Sequence, residues 1–117
     1  MNKLHATHVS ASEKGGEYFQ VMFEEEWESD KAYFLIQRQF EMPDDGSCYV
    51  ETHREEARGH FKIRQARLSR NRLQIRLPQK NEAEWEITFA IDDAAYEEMK
   101  GILGAILSAP SCLEIVS

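Results

Sequence analysis

Four histidines, two cysteines and 21 acidic side chains are the material for chemistry in this 117-residue chain. His5 and His8 form an H-x-x-H pair. On a strand, residues three apart point to opposite faces, so this pair does not share a metal ion. His53 and His60 flank a loop and have no cysteine or carboxylate at ligand spacing, so no metal site is expected there. No two carboxylates stand at a spacing that would set one acid and one base apart. Ser10, Ser12, Ser47, Ser69 and Ser108 lie in no nucleophile elbow. Gly15-Gly16 lacks the strand, glycine loop and helix of a phosphate cradle. The expectation is a protein that is not an enzyme, with no catalytic residue and no cofactor. Cys48 and Cys112 belong to no C-x-x-C pair and read as free thiols in a reducing compartment.

Charge is the more informative property. The formal net charge is −7. Residues 1–53 carry 4 basic and 11 acidic side chains, residues 54–76 carry 8 and 2, and residues 77–117 carry 2 and 8. Within the first block, Glu24, Glu25, Glu26, Glu28 and Asp30 surround Trp27. Such a segment is either a solvated loop whose tryptophan folds back onto the core, or a partner-facing acidic patch with an aromatic anchor. An acidic surface steers a basic partner and raises its association rate. The second reading makes these six residues the contact site and gives the partner a basic surface. The arginine-rich block has two readings as well. Its outward side chains can pair with acids on a neighbouring strand, each pair worth roughly 0.2–1 kcal/mol. Alternatively, the 58–76 strand pair makes a small nucleic-acid-binding module through Arg64, Arg67, Arg70, Arg72 and Arg76. No aromatic is interleaved on that outer face to stack bases, which weighs against the alternative.

The elements that would position these residues are legible from periodicity. Leu4 to Ser10 reads as a first strand, with Leu4 and Ala6 on one side and Thr7 and Val9 on the other. After Gly15-Gly16, Phe19, Val21 and Phe23 share one face of a second strand. Tyr33 to Phe40 and Cys48 to His53 follow, separated by the turn Pro43-Asp44-Asp45-Gly46. Phe61 to Leu68 reads as one strand, turning at Arg70-Asn71 into Leu73 to Leu77. That turn sets Leu68 opposite Leu73 and Ala66 opposite Ile75. Phe61 and Ile63 have the opposite parity to Ala66 and Leu68, which predicts a bulge near Arg64-Gln65. Trp85, Ile87, Phe89 and Ile91 alternate in the next strand. If Leu77 lies opposite Trp85, Arg76 faces Glu86. Phe89 then belongs to the core, whereas Arg70 is exposed and worth less than about 0.5 kcal/mol.

Asp92-Asp93 opens a helix, with Asp92 as N-cap, Ile91 as its staple and Asp93 favouring the dipole. Tyr96, Met99, Leu103, Ile106 and Leu107 make its apolar stripe, and it stops before Pro110. Gly101 and Gly104 are expected to allow close approach to the sheet. The fold class is α+β: a mostly antiparallel β-sheet of about six or seven strands with one C-terminal helix packed on one face. Residues 1–117 form a single domain. The start has no apolar stretch of a secretory signal, and no run reaches the roughly 20 residues of a membrane span, so a cytoplasmic protein is expected.

The order of these features resembles the immunity protein 10 family, cognate inhibitors encoded beside toxins in bacterial polymorphic toxin systems. The likeness is carried by His8-Val9-Ser10, by Tyr33-Phe34-Leu35-Ile36-Gln37-Arg38, by the hairpin Leu68-Ser69-Arg70-Asn71-Arg72-Leu73, and by the alternating strand running into Asp92-Asp93 and the last helix. The resemblance implies a non-enzymatic protein that binds and neutralises a cognate toxin. It supplies no catalytic residue.

Overall fold

A computed structural model describes residues 2–25, 32–39, 47–53, 58–63, 65–78, 84–107 and 113–116. The α+β class holds, with one helix and two mostly antiparallel sheets among the described residues. The first sheet contains β1 (Asn2–Ala6), β9 (Glu84–Phe89), β8 (Arg72–Arg76), β7 (Gln65–Ser69) and β10 (Leu113–Ile115), in that spatial order. The second contains β2 (His8–Lys14), β3 (Tyr18–Glu24), β4 (Tyr33–Gln39), β5 (Cys48–Thr52) and β6 (Gly59–Phe61), in chain order and antiparallel throughout. In the first sheet β1 runs parallel to β9, and β10 parallel to β7.

The two sheets close on each other through aromatic pairs. Phe23 of β3 meets Phe89 of β9 with ring centroids 5.8 Å apart, and Phe34 of β4 meets Trp85 of β9 at 5.3 Å. Phe23, Val21, Phe34, Ile36 and Val50 are fully buried on one side, as are Leu68, Leu73 and Ile87 on the other. These residues alternate with less buried ones along their strands, the pattern of sheets with one dry face.

The strand Leu4 to Ser10 is in fact two. It bends at Thr7, whose N–H donates to the Glu24 carbonyl at 2.9 Å, and passes from the first sheet to the second. Leu4 and Ala6 face inward before the crossing, and Val9 and Ala11 after it. The expected continuous strand Phe61 to Leu68 also divides. Phe61 ends β6 in the second sheet and Gln65 begins β7 in the first. The parity reversal between Ile63 and Ala66 is therefore a change of sheet rather than a bulge within one strand; Arg64 itself lies outside the described residues.

The hairpin has the expected register, Leu68 opposite Leu73 and Ala66 opposite Ile75. The next pairing is shifted by two residues. Ile75, not Leu77, lies opposite Trp85, so Arg76 faces Glu84 and Glu86 faces Gln74. A two-residue shift keeps every side chain on its own face, so hydrophobic pattern does not discriminate against it. The short β10 was not expected. Leu113 and Glu114 pair with Ala66 and Arg67, and the Val116 N–H donates to the Leu68 carbonyl at 2.8 Å.

Helix α1 (Asp93–Ile106) is capped as expected, Asp92 accepting from the Ala95 N–H at 2.7 Å. Tyr96, Met99, Leu103 and Ile106 are buried, as is Leu107 at the C-cap. The helix lies along β2, β3 and β4. Arg38, on the inward row of β4, is 3% exposed and its Nη1 donates to the Ile106 carbonyl at 3.0 Å. A cation thus stands at the negative end of the helix dipole.

Gly101 and Gly104 do not serve close approach. A Cβ added at either would meet nothing within 4 Å. Gly101→Ala and Gly104→Ala should therefore each stabilise the protein by about 0.4–1 kcal/mol, by restricting the unfolded chain and improving helix propensity. Chemical denaturation of each variant against the parent checks this; an unchanged or lowered midpoint would mean that the glycines are needed where they stand.

Candidate functional site

The outward rows of the two sheets differ in character. On the first sheet, each described arginine of the basic block has an acid. Arg67 lies 3.3 Å from Glu114, Arg72 3.6 Å from Glu86 and Arg76 3.5 Å from Glu84. Arg70, at the hairpin tip, reaches Asp93 and the Ile91 carbonyl, both at 2.8 Å, and stands 4.8 Å from the Tyr96 ring centroid. It ties the tip to the helix N-terminus, so the expectation of a negligible contribution is revised. Arg70→Ala should cost about 1 kcal/mol, the scale of one hydrogen bond or an exposed cation–π contact. These surface pairs add little stability individually. Their consequence is electrostatic, since they cancel the arginine charge locally.

The excess acid falls in the part of the sequence that contains the second sheet. Residues 8–61, which span β2 to β6, hold 13 acidic and 5 basic side chains, a net of −8. The remainder of the chain holds 8 acidic and 9 basic, a net of +1. Of the expected contact residues, Glu24 ends β3 on the outer face, half-buried and opposite both His8 and Tyr33. Glu25 is exposed; its N–H donates to the Ala32 carbonyl at 2.9 Å and its carbonyl accepts from the Thr7 hydroxyl. This closes the base of the acidic segment next to Tyr33. Glu26, Trp27, Glu28 and Asp30 lie outside the described residues.

Beside that base, the outer face contains a cluster that sequence reasoning missed. Tyr33 of β4 and Tyr49 and Glu51 of β5 converge: the Tyr33 hydroxyl donates to Glu51 Oε2 at 2.9 Å and the Tyr49 hydroxyl to Oε1 at 2.8 Å. Arg58 donates from Nη2 to the Tyr33 hydroxyl at 3.3 Å and from Nε to the Thr52 carbonyl at 2.9 Å. His60 packs against Tyr49 in a tilted arrangement with centroids 5.3 Å apart, and His53 sits 6.3 Å from Tyr33 and edge-on to Trp85 at 5.9 Å. Along the same face, Tyr18 donates to Gln37 at 2.8 Å, and Met22 pairs with Leu35. The alternation of β4 and β5 implied that Tyr33, Tyr49 and Glu51 face outward. Their convergence depends on the pairing register, Leu35 opposite Glu51, which no residue pattern specified.

The hydroxyl donors lower the Glu51 pKa, Tyr49 more than Tyr33, with Arg58 adding a smaller effect. The phenols move the other way. Tyr33 is raised chiefly by desolvation and then by its bond to Glu51, and Tyr49 chiefly by its bond to Glu51. Glu51→Gln should therefore bring both tyrosines to ionise at lower pH, Tyr49 most clearly. A spectrophotometric alkaline titration reads this directly, and superimposable curves would rule out the cluster. The sign for stability follows from the lowered carboxylate value: the Glu51 contribution is present above its unfolded pKa and is lost as pH falls through the folded one.

The other sequence features stay apart. His5 bonds Thr88 at 2.8 Å in the first sheet, while His8 lies in the second. Among the described residues, no group of three His, Cys, Asp or Glu side chains is placed to hold a metal ion. Cys48 is buried and forms no disulfide among the described residues. No helix among them is long and apolar enough to cross a membrane. The chain matches no protein-family model, no curated protein and no solved structure.

Proposed function

We propose that this chain is a non-enzymatic immunity protein that binds and neutralises a cognate bacterial toxin through the acidic end of its second sheet. The observation that carries this reading is the division of charge. The arginines of the first sheet are answered within the chain, whereas β2 to β6 and their connections keep a net of −8. A segment with a large excess of one sign steers a partner of the other sign. The partner is then a toxin with a basic surface, and Glu24, Glu25, Glu26, Trp27, Glu28 and Asp30 form the contact segment.

The test is to titrate the product of the adjacent gene against the purified chain. A saturable complex that abolishes the toxic activity is expected. Trp27→Ala should weaken it by about 2 kcal/mol or more, as loss of a hot-spot aromatic does. Neutralising Glu24, Glu25 and Glu26 to glutamine should slow association and flatten its salt dependence. Steeply salt-dependent binding to plain DNA or RNA, with no complex to the neighbouring product, would instead make the chain a nucleic-acid module.

A further inference from the structure

We propose that the outer face of the second sheet is itself a docking surface for a basic protein surface, and that Glu51, between Tyr33 and Tyr49, receives a lysine or arginine side chain of that partner. A carboxylate has roughly four acceptor sites. The two tyrosine hydroxyls occupy one on each oxygen, which fixes the carboxylate and leaves acceptor capacity on both. Among the described residues Glu51 has no ion-pair partner; Arg58 directs its guanidinium to the Tyr33 hydroxyl and the Thr52 carbonyl.

The surroundings fit a protein partner. Tyr18, Met22, Tyr33, Leu35 and Tyr49 share this face and are each half-buried. Tyrosine and methionine are enriched at interface centres, and charged residues are depleted there. Glu24 shares this outer face with Glu51, residues 8–61 carry a net of −8 in the sequence, and the arginine-bearing first sheet packs against the opposite face, so complementarity selects a basic occupant. A polyanion is disfavoured by the same charge.

The inference rests on the reading of the chain as a binding protein and extends its contact area from the acidic segment across β4 and β5. Two measurements separate their failures. First, the isotope-labelled full chain is titrated with N-acetyl-arginine amide, using the citrulline analogue as the uncharged control. Saturable amide shifts centred on Leu35, Tyr49 and Glu51, absent with citrulline and lost in Glu51→Gln, are expected. Shifts centred on residues 24–30, or spread equally to Glu97 and Glu98 of the helix, overturn it. This holds whether or not the neighbouring gene product binds. Second, if that product binds the parent, Glu51→Gln should weaken the complex by about thirtyfold or more, and Tyr33→Phe and Tyr49→Phe each by a few-fold. Parent-like affinity in all three overturns the docking surface while leaving the immunity reading intact. Both phenylalanine variants keep the ring, and thermal melts confirm that each variant folds.

Discussion

Phe89→Ala should lower the unfolding free energy by about 3–5 kcal/mol, the range for truncating a buried phenylalanine. Phe89 is 2% exposed and stands where β9 meets β3, its ring 5.8 Å from that of Phe23. Its backbone N–H also donates to the Asn71 carbonyl at 3.0 Å, so the strand is anchored to the hairpin at this residue. Neither sheet can close the gap alone. The strands are held by ladders on both sides of β9, and inward movement would break the pairing with β1 and β8. Denaturant melts of Phe89→Ala beside Arg70→Ala give the comparison. Similar midpoints for the two would mean that β9 does not face the second sheet.

Arg38→Met should cost about 1.5–3 kcal/mol, the scale of a hydrogen bond from a charged donor. Methionine keeps much of the apolar stem but cannot donate, so the Ile106 carbonyl loses its guanidinium and the helix loses the cation at its C-terminus. The cost is specific to this arrangement, because buried charges are often replaced by apolar residues without loss. A more stable Arg38→Met would show that desolvation of the guanidinium outweighs what it gives the helix end. Hydrogen exchange sharpens the reading: faster exchange confined to the last helical turn and β4 is expected.

Both predictions concern places where local pattern and global arrangement meet, and they differ in how far the pattern reached. The inward role of Phe89 follows from the alternation Trp85, Ile87, Phe89 alone. The role of Arg38 does not. It sits at an inward position after Phe34 and Ile36, where a charged residue contradicts the strand pattern, and the end of a helix 68 residues away supplies it with a partner. The missed β10 shows a second limit. Three residues are too few to carry a period, and a parallel edge strand is defined by the ladder it joins rather than by its own composition.

What this chain's residues determine by themselves is local and periodic. The turn at Arg70-Asn71 sets the register of β7 and β8 because a two-residue connection leaves no freedom. Asp92 and the stripe from Tyr96 to Ile106 specify the helix and its buried face, because capping and a 3.6-residue period act within a few turns. The two reversals of inward parity, at Thr7 and between Ile63 and Ala66, are present in the chain as well. Their meaning is not. A bulge and a crossing between sheets reverse parity in the same way, and long-range packing chooses between them. Here burying Leu4 and Ala6 beside β9, and Val9 and Ala11 beside β3, places two dry faces against each other. That choice turned one expected sheet into two and brought Tyr33, Tyr49 and Glu51 together. The outward alternation placed each on the surface; only the pairing of β4 with β5, set by the packing of Phe34, Ile36 and Val50 beneath, placed them within hydrogen-bonding distance.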